Sequence, residues 1–132
     1  AFGLGSLAPD LSGGFTIAPR PMGDAVNGKT TTDFGGGPLM SIGRGSVAIA
    51  SFNADASYRW AHGAGGPSTA TASFASIPTA AAAWGSSVIV AGAFNNCTNV
   101  CNAAPPGTTL VLAGKSLTGV SGQDLFIASV TP

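Results

Sequence analysis

Charged side chains are scarce in this chain. Only 8% of its 132 residues are Asp, Glu, Lys or Arg, and five acids, none of them Glu, balance five bases. Soluble domains ordinarily carry about a quarter of such residues. Zero net charge leaves no basic face for a phosphate backbone, so we expect no nucleic-acid partner. Because a neutral surface resists association poorly, we expect a packed or multi-subunit state.

Long apolar runs are also missing. No stretch of about eighteen apolar residues occurs, so we expect no membrane span. Hydrophobic residues nevertheless make up 45% of the chain and alternate with polar ones, which argues against disorder. The chain begins at Ala1 without a signal peptide. We therefore interpret it as a mature secreted product, extracellular or on the cell surface, or as an excised fragment.

Reactive side chains are too few to indicate an active site. The single histidine, His62, could form a hydrolase triad with a Ser and an Asp, but the chain has no GxSxG elbow. Glycoside hydrolysis needs two paired acids, whereas the Asp residues here are scattered. The glycine run 35–37 lacks the rest of a phosphate-binding loop and is predicted to be a turn. We therefore predict a protein that is not an enzyme, with no catalytic residue and no cofactor.

Metal ligands are equally sparse. The oxygen ligands available for calcium do not have the spacing of a calcium-binding loop, so we predict no metal site. These residues are Asp24, Asn27, Asp33, Asp55 and Asp124.

The only two cysteines, Cys97 and Cys101, are four positions apart. An even number in an apparently exported chain favours a disulfide. A zinc site would need two more ligands, and His62 lies far along the chain. The closed loop is small, so the bond should stabilise the fold at the low end of about 2–4 kcal/mol.

Short runs of β-branched and aromatic residues, separated by Gly, Pro, Asn and Ser, predict strands. Residues 53–56 are predicted to form a hairpin turn and residues 61–67 a loop. The alanine-rich segment 79–83 is too short for a helix, so we expect a turn or a small-residue strand there. The predicted strands lie near 14–18, 46–52, 57–61, 71–77, 87–94, 108–113 and 124–130.

Two segments of the chain repeat one another. Residues 33–52 align with residues 111–130, which lie 78 positions later. Such repetition indicates a unit that cannot bury its apolar face alone and stacks on copies of itself. We expect a single domain over 1–132, with units at about 13–91 and 92–132 and a cysteine-loop insertion at about 95–107. The identities include Gly36/Gly114, Leu39/Leu117 and Ala50-Ser51/Ala128-Ser129.

The same segments carry a resemblance to a known family. The turn 33–39 reads DFGGGPL, a Trp-bearing strand follows at 58–60, and residues 122–128 read GQDLFIA. This series resembles the β-propeller repeat of secreted bacterial proteins of the myxobacterial type, over about 33–66 and 72–130. The family's Asp before the last strand is present as Asp124, but the first copy has Ser46 there.

The strand signals along the chain predict an all-β class with little or no helix, and the resemblance is consistent with that class. The resemblance implies two propeller-like antiparallel repeats, arranged as a sandwich or a partial propeller. Propellers close with about four to eight blades, and this chain holds fewer than two units. We therefore expect the chain to be a piece of a longer propeller, to close a ring with other copies, or to pack its two units as a sandwich and extend by edge pairing into a filament or layer.

We predict a non-enzymatic secreted structural protein whose partners are copies of itself, associating through repeat faces and strand edges into a filament or surface layer. The alternative is a carbohydrate- or protein-binding propeller, closed by several chains or part of a longer one, with glycans as partners. Tyr58, Trp60 and Trp84 are the candidate ligand or interface aromatics. Packing is the more common role for such residues, and we expect it for Trp60.

Overall fold

The computed structural model describes residues 6–19, 31–40, 47–65, 72–98, 109–119 and 124–132. Within these ranges the chain forms eleven strands and no helix, which confirms the predicted all-β class. The strands are β1 (Ser6–Pro9), β2 (Phe15–Ala18), β3 (Thr31–Asp33), β4 (Pro38–Met40), β5 (Val47–Phe52), β6 (Tyr58–Gly65), β7 (Ala72–Trp84), β8 (Ser87–Thr98), β9 (Thr109–Leu112), β10 (Lys115–Thr118) and β11 (Asp124–Val130).

The strands form two antiparallel sheets and one separate hairpin. The larger sheet has six strands in the order β1-β2-β5-β6-β9-β10, and the smaller has three in the order β11-β8-β7. Strands β3 and β4 pair only with each other among the described strands. One hydrophobic core draws side chains from both sheets, so the two sheets pack face to face as a sandwich. Its buried members are Ala18, Ile49, Ala64, Val88, Val90, Phe94, Leu110, Leu112, Phe126 and Val130.

Alternation along the strands determines which side chains enter this core. In β11, Phe126 and Val130 are buried while Leu125 and Ile127 are exposed. Successive side chains of a strand point to opposite faces, so a period of two places one set between the sheets and the other outside. Each fully buried Val, Leu, Ile or Phe side chain stabilises the fold by about 1.5–3 kcal/mol.

The β3–β4 hairpin covers the opposite face of the six-stranded sheet. Phe34 meets Phe52 edge-on with ring centroids 6.4 Å apart, and Phe52 stacks on Phe15 at 5.2 Å. As a result β5 is buried on both faces, with Ala50 turned to the hairpin side and Ile49 to the core. The hairpin thus adds a third layer to the sandwich.

The DFGGGPL motif forms the turn of this hairpin, as predicted for its glycines. The Asp33 carboxylate accepts hydrogen bonds from the backbone N–H groups of Gly35 at 2.7 Å and Gly37 at 3.1 Å. Gly37 has a φ of 103°, which L side chains rarely adopt. Gly36 lies directly against the Tyr58 ring and leaves no space for a Cβ atom.

The order of elements recurs along the chain. A hairpin (β1–β2), a second hairpin (β3–β4) and a returning strand (β5) come first. After β6, which has no counterpart in the second half, β7–β8, β9–β10 and β11 follow in the same order. In each half the returning strand pairs with the second strand of the first hairpin. The halves differ in their second hairpins, because β9 extends the six-stranded sheet whereas β3–β4 lies over it. The unit bounds at about 13–91 and 92–132, and the propeller resemblance itself, stay predictions.

All seven predicted strands occur, and so does the turn at 53–56, where the Asn53 N–H donates to the Ser57 carbonyl at 2.8 Å. The loop predicted at 61–67 is wrong over 61–65, because β6 continues to Gly65 and pairs with both β5 and β9. The alanine segment 79–83 is strand, inside β7. Residues 95–98 continue β8, and the rest of the cysteine loop lies outside the described residues.

Candidate functional site

A cleft of about 510 Å³ opens at one end of the sandwich, between the two sheets. Its walls come from the β1–β2 turn, the inner faces of β2, β5 and β6, and the β7–β8 turn. The polar or aromatic side chains used below that line it are Asp10, Ser12, Thr16, Ser51, Arg59 and Trp60. Ligand sites typically have volumes of about 300–1,000 Å³, so the cleft is large enough to bind a small molecule.

Three side chains on adjacent strands form one row along the cleft, the first two at its floor and the third in its wall. Thr16 of β2 is paired with Ser51 of β5, and Ser51 is paired with Trp60 of β6. Thr16 is 3% exposed and Ser51 is 2% exposed. Ala18 is two positions from Thr16 and Ile49 is two positions from Ser51, so both lie on the same inner face. Both belong to the apolar core. The hydroxyl pair therefore directly adjoins the apolar core on this face.

Neither of these hydroxyls forms a hydrogen bond within the described part of the chain. A buried polar group without a partner costs about 1–3 kcal/mol. Both residues line the cleft, so Thr16 and Ser51 place at its floor donors and acceptors that no described side chain pairs. Such groups are typical of binding sites, where a ligand supplies the missing partners.

Arg59 organises the rim of the cleft. Its guanidinium forms an ion pair with Asp10, and it donates to the Ser12 hydroxyl at 2.6 Å and the Asn53 side-chain carbonyl at 2.7 Å. These contacts tie the β1–β2 turn to the β5–β6 turn across the sheet. The rim therefore carries one positive and one negative charge that compensate each other.

Asp10 also shapes its own turn. One carboxylate oxygen accepts from the Ser12 hydroxyl at 2.6 Å, the Ser12 N–H at 2.8 Å and the Gly14 N–H at 2.9 Å. The Ser12 hydroxyl, together with Arg59 and the two N–H groups, lowers the pKa of Asp10 to about 2. At neutral pH the group is a carboxylate whose oxygens are already engaged, which suits a structural role rather than proton transfer.

The structure places the three predicted aromatics in three different environments. Trp60 is half-buried in the cleft wall, and its ring centroid lies 5.3 Å from that of His62. Trp84 is 77% exposed at the end of β7, beside the turn that borders the cleft. Tyr58 lies against Gly36 of the β3–β4 turn. Of these three aromatic residues, therefore, only Trp60 lines the cleft.

His62 belongs to a second cleft of about 450 Å³, near the end of β11. Its Nε2 atom lies 3.0 Å from the backbone carbonyl oxygen of Thr131. The described residues contain no group of three or more His, Cys, Asp or Glu side chains that could hold a metal ion. Asp33 and Asp55 serve turns, and hydrogen bonds from Ser57 lower the pKa of Asp55. Asp24 and Asn27 lie outside the described residues.

The predicted disulfide stays a prediction. Cys97 is in the last part of β8, where its backbone pairs with Ser73, and Cys101 lies outside the described residues. Within the described ranges no helix is long and apolar enough to cross a membrane.

The outer face of the three-stranded sheet is mostly apolar, and we call it the apolar sheet face. Leu125 and Ile127 on β11 are 84% and 77% exposed. Cross-strand pairing places their alanine and isoleucine neighbours on the same face, so the exposed side chains are contiguous. None of its described members is charged, and two are serines: Ala80, Ala82, Trp84, Ser87, Ile89, Ala91, Ala93, Leu125, Ile127 and Ser129.

Sequence reasoning did not identify Asp10, Ser12, Thr16 or Ser51. The Asp-x-Ser-Gly-Gly pattern at 10–14 is a signal for a side-chain-capped turn. Thr16 and Ser51 become informative only once the inner face of each strand is known, because a polar residue at a core position is then conspicuous.

Comparison with models of protein families, with curated proteins and with solved structures gave no match.

Proposed function

We propose that this protein is a non-enzymatic structural component that acts outside the cell and self-associates into a filament or surface layer. The observation that carries the proposal is the apolar sheet face, whose Leu125 and Ile127 side chains are largely exposed. An exposed contiguous apolar patch is typical of an interaction site. The extracellular location is supported by the even number of cysteines, because the disulfide predicted between them would suit an oxidising compartment.

Burial of this face would be favourable. Removing a Leu or Ile side chain from water stabilises an association by about 1.5–3 kcal/mol before the costs of binding. The face holds small and branched side chains, which permit close packing of a second sheet at about 10 Å. Because it carries no charge, it offers no specific contact to a charged partner and no repulsion to a copy of itself.

The internal repeat indicates what covers the face. In the alignment of 33–52 with 111–130, Ile127 corresponds to Ile49. Ile49 is 1% exposed, because it faces the three-stranded sheet across the core. In the first copy, therefore, the corresponding side chain is buried by a sheet of this same protein. We take a sheet from a second copy of the chain as the occupant.

The strand edges supply a second means of contact. Among the described strands, β11 hydrogen-bonds to β8 alone, so its other edge presents backbone N–H and C=O groups. A face that pairs with the same face of another copy closes a dimer, whereas a second, different contact allows growth. The face and the β11 edge together therefore support a filament or layer.

The rival arrangement is a closed ring of several chains or a longer propeller. Light scattering of the full chain over a dilution series, with negative-stain electron microscopy, separates the possibilities. We expect masses that rise with concentration, and fibres or sheets in the images. Discs of one fixed mass would contradict the filament and support the closed ring. A monomer at all concentrations would refute self-association.

A substitution tests the face itself. Ile127→Lys places a charge where the second sheet would pack, so we expect the assembly to dissociate to a smaller species. Met40→Lys is the matched control, because Met40 is 58% exposed but lies on β4, away from the face. Equal masses for Ile127→Lys and the unmodified protein would contradict the proposed interface, provided that circular dichroism shows both folded.

A further inference from the structure

We infer that the cleft at the end of the sandwich binds a neutral polyhydroxylated ligand, such as a sugar unit of a glycan. The site is independent of the apolar sheet face and goes beyond self-association. The inference begins with Thr16 and Ser51, whose buried hydroxyls are unpaired within the described residues and line the cleft.

Hydroxyl groups determine the chemistry of the ligand. A hydroxyl both donates and accepts, so a set of them suits a ligand whose own groups do the same. Besides Thr16 and Ser51 at the floor, Ser86 and Ser87 line the cleft, whereas the Ser12 hydroxyl is already engaged by Asp10 and Arg59. A ligand rich in hydroxyls can pair with these groups, whereas an apolar ligand would leave the floor unsatisfied.

The charges in the site indicate a neutral ligand. Among the described residues that line the cleft, Asp10 and Arg59 are the only ones with charged side chains, and they are paired with each other. Arg59 is further engaged by Ser12 and Asn53, and Asp10 by two backbone N–H groups. An anionic ligand would have to compete with Asp10 for the guanidinium and would meet a fixed carboxylate.

Trp60 supplies the apolar wall of the site. It is next to Ser51 in the strand pairing and lines the cleft. A sugar ring has an apolar C–H face and polar edges, so it can lie on an indole ring while its hydroxyls reach a polar floor. Thr16, Ser51 and Trp60 lie side by side on three strands. Together they therefore provide a polar floor and an apolar wall.

The test uses the full chain on an array of neutral, sialylated and sulfated glycans, followed by titration of bound neutral saccharides with tryptophan fluorescence as the readout. We expect binding to neutral saccharides. The double variant Thr16→Val/Ser51→Ala keeps the shape of the floor and removes both hydroxyls. We expect it to weaken binding about tenfold or more, while its thermal stability is unchanged or raised.

Trp84→Ala is the matched control, because Trp84 is exposed beside the cleft but is not part of its lining. We expect this variant to bind as the unmodified protein does. Absence of binding to every glycan, binding of anionic glycans only, undiminished binding by the double variant, or loss on Trp84→Ala would each overturn the inference.

Repeating the titration on Ile127→Lys keeps this result distinct from self-association. We expect the dissociated variant to bind with unchanged affinity, because Ile127 lies outside the cleft lining. Loss of binding there would mean that the site is completed by a second copy, which contradicts a ligand site contained in one chain.

Discussion

The Asp10 carboxylate lies in a network of hydrogen bonds that changes its titration. Hydrogen bonds from Ser12, with Arg59 and two backbone N–H groups, hold its pKa at about 2 in the folded chain. An Asp carboxyl in an unfolded chain titrates near 3.9. Because the folded pKa is the lower one, the ionised carboxylate stabilises the fold above about pH 4, and this contribution is lost as the pH falls toward 2.

We therefore expect the urea midpoint of the protein to fall between pH 5 and about pH 2. Asp10→Asn should flatten this dependence, because it removes the titrating group and leaves an oxygen that accepts hydrogen bonds. Asp55→Asn is the comparison, since hydrogen bonds from Ser57 lower the pKa of that group as well, but at a different turn. An unaltered pH slope in Asp10→Asn would show that the rim network does not stabilise the fold.

The β3–β4 hairpin shows how a motif of small residues acts at the scale of an element. Its glycines serve different purposes, since Gly37 has a φ of 103° with open space around it, whereas Gly36 lies against Tyr58. Gly37 must be glycine because of its backbone conformation, and Gly36 must be glycine because the Tyr58 ring approaches it closely. The hairpin thereby lies flat on the sheet and covers the outer face of β5.

Gly36→Ala should lower the free energy of unfolding by about 1 kcal/mol, because the added methyl group overlaps the Tyr58 ring and displaces it. In a Tyr58→Ala background the same substitution should have almost no effect, which a double-mutant cycle by urea denaturation measures. Gly37→Ala is the control, since it destabilises through its backbone whether or not Tyr58 is present. Equal effects of Gly36→Ala in both backgrounds would contradict the contact.

The elements also show where sequence reasoning succeeds. The runs 46–52, 87–94 and 124–130 are rich in Val, Ile, Leu and Phe, and each lies in a strand close to its predicted bounds. The short strands β1, β3, β4 and β10 were missed, because Ser, Thr, Pro and Lys residues have little strand signal of their own. Residues 62–65 and 79–83 became strands because long neighbours pair with them.

At the scale of the whole molecule, both the composition and the apolar sheet face favour association through apolar burial. The chain has no net charge, and the face proposed to associate has no charged member. An interface of this kind depends on apolar burial, which salt does not screen.

We therefore expect the mass measured by light scattering to be unchanged or larger in about 1 M NaCl than at low salt. Assembly through ion pairs would dissociate under the same conditions, and that outcome would move the interface away from the apolar sheet face. The Met40→Lys variant should respond to salt as the unmodified protein does.

The alternation of apolar and polar residues was enough to establish an all-β chain, its main strands and its hairpin turns, because these features depend on neighbours one to four positions apart. The repeat was visible for the same reason, as a pattern in the chain itself. Two other features depended on tertiary packing: that Thr16, Ser51 and Trp60 form one row, and that Leu125 and Ile127 are exposed while Ile49 is buried. Such features depend on which strands pair, in what register and with which face turned inward, and these are contacts between residues far apart in the chain.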